Sequence, residues 1–179
     1  MSGRSSTVRT VLGFVRSVLA RWIPGLAKTE QLSDIYNFLE IPNLYATSGQ
    51  PSAAQLALIQ QAGFDLVINL APTSMLENSV VEEAQILEGL GITYTHIPVD
   101  FQNPTDADFT AFVRAVESAD AKVWVHCAAN MRVSAFTYRY RTQVLGEATD
   151  TAGADLQQIW EPMGVWTDFI QRPLVERSN

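Results

Sequence analysis

Apolar and polar positions change rhythm several times along the chain, and the changes mark out its elements. Val8, Val11, Leu12, Val15, Val18, Leu19, Trp22 and Ile23 recur at three- and four-residue spacing, which gathers them on one helical face, while Arg9, Arg16 and Arg21 fall off it. From Asn43 onward short apolar runs alternate with helical periods. Leu44–Thr47 predicts a short strand, and Ser52–Gln61 a helix opened by an N-cap serine and closed by Gly63. Leu66–Leu70 predicts a buried strand ended by the turn Ala71-Pro72-Thr73-Ser74, followed by a helix over Glu77–Leu90 with Gly91 at its exit. Ile92–Val99 reads as another strand, Asp106–Ser118 as a helix and Lys122–His126 as a fully apolar central strand. Helices over Val133–Leu145, Asp150–Trp160 and Gly164–Ile170 complete the pattern.

Strands separated by helices need crossover connections, so the expected fold class is α/β, a mostly parallel central sheet flanked by helices. In such sheets the functional site lies beyond the carboxyl ends of the strands. Cys127 falls there, at the end of the last strand and before a helix. The expected organisation is a basic leader helix within residues 1–30 and a single domain over 31–179.

Charge sharpens that division. Of 179 residues, 47% are apolar, enough to bury one core. Acids outnumber bases 19 to 12, a formal charge of −7 that makes nucleic acid a poor default partner. Residues 1–30 nevertheless carry +4 and the remainder −11. Arginines interrupt the leader too often for the roughly 20 apolar residues of a membrane span, and no cleavage site precedes Pro24-Gly25. A basic amphipathic helix of this kind, over residues 1–28, is suited to lie on an anionic membrane surface, to act as an organelle transit peptide, or to pack its stripe onto the acidic body. The single cysteine excludes an intramolecular disulfide framework and a Cys-rich zinc cluster, and it suits a cytoplasmic chain. With only His96 and His126 beside it, no spacing suggests a metal, and no cofactor is expected.

The segment Val125-His126-Cys127-Ala128-Ala129-Asn130-Met131-Arg132-Val133-Ser134 concentrates the chemistry. A tight strand-to-helix loop aims successive N–H groups into a concavity, and the helix dipole adds positive field, which together make an anion site. The same field favours thiolate at Cys127. Arg132 offers paired donors to an oxyanion, and Asn130 tolerates a left-handed backbone. A buried structural cysteine is the competing reading of Cys127 taken alone.

His126-Cys127 followed by an arginine at a strand-to-helix turn resembles the signature loop of cysteine-dependent protein tyrosine and dual-specificity phosphatases. Ser48-Gly49-Gln50-Pro51, a helix, and then Gly63-Phe64-Asp65-Leu66-Val67-Ile68-Asn69-Leu70 is similar to the beginning of bacterial dual-specificity-like phosphatases, including the domain fused to beta-lactamase-like hydrolases. Pro98-Val99-Asp100 with Asn103-Pro104 resembles the loop carrying the family's acid. The resemblance covers residues 43–145 and implies a dual-specificity phosphatase architecture and metal-independent phosphoryl transfer from a phosphorylated substrate. It casts Cys127 as nucleophile, with Arg132 and the loop from His126 through Ala128, Ala129, Asn130, Met131, Val133 and Ser134 as the phosphate cradle. Asp100 would be the acid, and Ser134 would hydrogen-bond the thiolate as it leaves.

Four residues separate Cys127 from Arg132, where the family usually has five. Aligned without a gap, Val133 takes the arginine position; with one residue deleted, Arg132 keeps its role in a smaller ring. The beta-lactamase-linked domains share the shorter spacing, and so do rhodanese-like loops that cradle a persulfide. Three functions follow: a phosphatase, a catalytically weak oxyanion-binding module, or a sulfurtransferase using Cys127. Asp106 and Asp108 are weaker acid candidates and suit the start of a helix. Arg139 and Arg141 are expected on a solvated helix face, and Trp160, Trp166 and Phe169 in the core or a pocket wall.

Overall fold

The structure, a computed structural model, describes residues 2–20, 31–73 and 82–174. The helix α1 (Ser2–Ala20) is followed by a 3-10 turn at Leu32–Asp34 and an antiparallel pair, β1 (Leu39–Ile41) and β2 (Tyr45–Ser48). Then come α2 (Ala53–Gln61), β3 (Leu66–Asn69), α3 (Glu83–Gly89), β4 (Thr93–His96), α4 (Asp106–Glu117) and β5 (Val123–His126). The helix α5 (Met131–Arg139) runs into a π-helical turn at Tyr140–Val144, and α6 (Thr149–Ile159) and α7 (Val165–Gln171) follow. The sheet order is β1-β2-β5-β3-β4, parallel except at β1. This is the expected α/β class, with β5 in the middle.

Both faces of the central strands are covered, which explains their unbroken apolar runs. Val67 of β3 pairs in register with Trp124 of β5, and both enter the core shared with Leu56, Ile59 and Leu87 of α2 and α3. Their neighbours Ile68 and Val125 point the other way, into the larger core with Phe109, Phe112, Phe136, Trp166 and Phe169. Phe38 stacks on Trp124 at 5.5 Å and Phe64 meets it edge-on at 5.0 Å, arrangements that aromatic quadrupoles favour. Helix starts follow from local chemistry: Ser52 and Gln55, and again Thr105 and Asp108, close reciprocal capping boxes. Asp108 therefore serves the helix start, and Asp106 pairs with Arg139 at 2.8 Å.

Two expectations need correction, and a third falls partly outside the described residues. Arg139 and Arg141 are buried, not solvated. Arg139 lies between the Phe109 and Phe169 rings, and Arg141 forms ion pairs with Glu147 at 2.7 Å and Asp155 at 2.5 Å. The helix expected over Glu77–Leu90 is present as Glu83–Gly89, and its expected beginning lies outside the described residues. The other correction concerns α1, whose described stripe positions are not buried on the body: Val8, Val11, Leu12 and Val15 are exposed, while Ser6 and Thr10 are buried. The side chains at positions 2–5 and 16–20, and residues 21–30, lie outside the description. Among the described residues no helix is long and apolar enough to cross a membrane.

Candidate active site

At the carboxyl end of β5 the chain leaves the sheet and turns into α5. The Cys127 amide still donates to Ser48 O at 3.3 Å, and Gln50 N donates to Ala128 O at 3.2 Å, so the Ser48-Gly49-Gln50 segment clamps the loop. Gly49 is needed for this approach, because a Cβ there would stand 3.0 Å from Ala128 O and 2.8 Å from Tyr36 Cδ1. Asn130 then takes the left-handed conformation, φ 65° and ψ 2°, directly before α5. Its buried amide nitrogen donates to Asn37 O at 2.7 Å and Thr47 Oγ1 at 3.0 Å. Asn37 answers by donating to Ala129 O at 3.0 Å.

This turn brings the Cys127 and Arg132 side chains to one cavity of about 150 Å³ at the start of α5, with Ala128, Ala129 and Met131 around them. Phe101 forms one wall, and the Arg132 guanidinium lies 5.1 Å from its ring centre. Trp166 holds Phe101 from behind by donating to its carbonyl at 2.9 Å, so the C-terminal aromatics are core that also supports the wall. Thr10, Val11 and Phe14 of α1 line the cavity as well.

Other loop residues face elsewhere. Val133 is wholly buried in the larger core, so it is Arg132 that shares the cavity with Cys127. Ser134 accepts from Trp160 Nε1 at 3.1 Å and donates to Met131 O at 3.0 Å; it does not line the cavity, in contrast to the expected bond to the thiolate. Asp100 is exposed and its Oδ1 accepts from Gln102 N at 2.8 Å, the geometry of a turn residue, next to the wall residue Phe101. His96 contacts Ala71 O at 2.7 Å.

His126 points to the opposite side of the sheet from the cavity's apolar support, into a buried polar cluster that sequence reasoning missed. Its Nε2 lies 2.9 Å from Glu83 Oε1, both side chains being essentially inaccessible. Gln50 donates to the same Oε1 at 3.2 Å, and Asn69 and Tyr94 donate to Oε2 at 2.8 and 3.2 Å. Burial by itself would raise the Glu83 carboxyl, but the His126 charge and the hydrogen bonds with His126, Gln50 and Tyr94 hold it below its ordinary value. The one signal in the sequence was Asn69, a polar residue closing an apolar strand. Burial pushes the Tyr36 hydroxyl, near α1, up to about 12. Among the described residues no group of His, Cys, Asp and Glu is arranged to hold a metal ion.

The beta-lactamase hydrolase-like protein of Xylella fastidiosa is 30% identical over 96 residues, 52% of this chain, which spans only 22% of that protein's length. A solved DUF442 protein of Shewanella putrefaciens is similar at 32% identity and TM-score 0.70, over 80% of this chain and 95% of that one. Pseudomonas aeruginosa TpbA, solved in complex with phosphotyrosine, shares the fold at 19% identity and TM-score 0.57, over 75% and 80% of the two chains. The family described as DSP-PTPase phosphatase fused to NAD+ kinase matches residues 23–161, more than half of the chain, which therefore belongs to this dual-specificity-type phosphatase family.

Proposed function

We propose that the chain hydrolyses phosphate monoesters through a cysteinyl-phosphate on Cys127. The supporting observation is the shared cavity: a strand-end thiol and a buried guanidinium, with four residues between them in sequence, meet at the start of a helix. The Cys127 thiolate attacks phosphorus and the phosphorus–oxygen ester bond breaks, leaving phosphate on sulfur and the alcohol oxygen as leaving group. Arg132 balances charge on the equatorial oxygens together with N–H groups of the loop. Asp100 gives its proton to the leaving oxygen and takes one from the water that then splits the phosphorus–sulfur bond. To do so its carboxylate gives up the Gln102 amide and swings past Phe101. The chemistry uses no metal or cofactor, and the substrate is a phosphorylated protein or small molecule.

The test is hydrolysis of an aryl phosphate at mildly acidic pH. Turnover is expected to vanish in Cys127→Ser, to fall at least 100-fold in Arg132→Ala, to be inhibited by vanadate and to survive EDTA. Absence of Cys127-dependent turnover in folded protein overturns the reading. Thermal protection by phosphate without turnover would then mark an oxyanion-binding module, and thiosulfate-to-cyanide transfer a sulfurtransferase.

A further inference from the structure

The helix α1 sits on the body with its polar side down. Thr7 Oγ1 accepts from Glu161 N at 2.9 Å, Arg9 Nη2 donates to Gln158 O at 2.8 Å, and Thr10 hydrogen-bonds Ile159 O. Tyr36 OH donates to Thr10 O, and Asn37 reaches Thr10 Oγ1 at 3.3 Å. Gly13 lets the helix close on Tyr36, since a Cβ there would stand 2.7 Å from the Tyr36 ring. These contacts fix the rotation of the helix about its axis. They leave Val8 58%, Val11 48%, Leu12 66% and Val15 51% exposed in one row at helical spacing.

An amphipathic helix that belongs only to its own domain buries its apolar side, because that burial is what stabilises it there. Here the polar side is satisfied and the apolar side is turned outward, so the row is placed for something outside the chain. Charge selects the occupant. No acid precedes Glu30, and α1 carries Arg4, Arg9 and Arg16, whereas residues 31–179 carry −11. An anionic surface is attracted to this helix and repelled by the rest of the molecule. A second copy meeting it helix to helix would set arginines against arginines.

We propose that the outer row of α1 docks this protein on an anionic bilayer surface, with Val8, Leu12 and Val15 entering the boundary between headgroups and acyl chains. Val11 belongs to both the row and the cavity of Cys127, so docking turns the mouth of the candidate active site toward the bilayer.

The experiment is flotation of the full chain with vesicles of phosphatidylcholine and phosphatidylglycerol, and with phosphatidylcholine alone. Binding to the anionic vesicles, weakened by high salt and reduced at least 10-fold in Leu12→Glu/Val15→Glu, is the expected result. Both substitutions lie at exposed positions, and an unchanged thermal melt establishes that the double variant is folded. Failure of the wild-type chain to float with anionic vesicles overturns the proposal, as does equal binding by the double variant. A wild-type dimer that Leu12→Glu/Val15→Glu converts to monomer, with no vesicle binding, assigns the row to a second copy instead and equally overturns it. None of these readouts depends on phosphatase turnover.

Discussion

Replacing Glu83 tests how the strand end that carries Cys127 is held. In Glu83→Ala, the buried groups of His126, Gln50 and Asn69 and the half-buried Tyr94 hydroxyl lose their shared acceptor at once. Taken singly, unsatisfied buried groups cost about 1–3 kcal/mol each, but neighbours relax together and admit water, so the contributions do not add. Breaking one side of a buried ion pair costs about 3–5 kcal/mol, and that is the loss expected here. Against a typical total of about 5–15 kcal/mol it is about a fifth of the stability at the least and most of it at the low end of that range. Glu83→Gln keeps the shape but turns an amide NH2 toward groups that donate, so about 2 kcal/mol is expected. Urea unfolding followed by tryptophan fluorescence measures both. The acid limb supplies a second readout. Because the Glu83 carboxyl is held below its ordinary value of 4.5, its contribution is present above that value and is lost as pH falls through the folded one. The wild type is therefore expected to lose stability below about pH 4.5 by an amount that Glu83→Gln does not share. A Glu83→Ala protein within about 0.5 kcal/mol of wild type, or superimposable acid limbs for wild type and Glu83→Gln, would refute the reasoning, since buried pairs broken on one side do not behave so.

Asn130→Gly and Asn130→Ala both lose the bonds to Asn37 and Thr47, but only alanine is strained at φ 65°. Alanine should be the less stable of the two by about 1 kcal/mol in chemical denaturation. Arg139→Ala leaves a cavity between two rings and uncovers Asp106, and should cost about 3 kcal/mol; Asp106→Asn, at a position one-third exposed, should cost less than half of that. Gly13→Val drives a side chain into Tyr36 and should undock α1, seen as faster tryptic cleavage at Arg9 with little change in the melt of the body.

Legibility followed the range of the interaction. The central strands were readable because burial on both faces leaves an unbroken apolar run, as at Leu66–Asn69 and Val123–His126. Helix starts at Ser52 and Thr105 were readable because capping joins residues three apart. The left-handed Asn130 followed from its side chain and its place before a helix. The edge strand Leu39–Ile41 was not, since three residues before a proline carry no period. Glu83 escaped because its partners Gln50, Asn69, Tyr94 and His126 come from separate elements, and only the sheet order brings them together. Arg139 and Arg141 were misread for the same reason: helical spacing gave their face, while the acids that draw them inward lie elsewhere, Asp106 and Asp155 on other helices and Glu147 on the loop before α6. The direction in which α1 turns its stripe depends on Tyr36 and Gly13, a contact no local rule anticipates.

The reciprocal bonds between Asn37 and the loop join residues 92 and 93 positions apart. A loop held by such distant segments is expected to take its shape only after most of the chain has been ordered, since long loops must be closed before their contacts contribute. The curvature of the Cys127–Arg132 loop is thus expected to form late in folding. A fragment cut at residue 43, where the family-like motifs start, would retain every residue of the signature loop and still lack the strap that gives the loop its curvature.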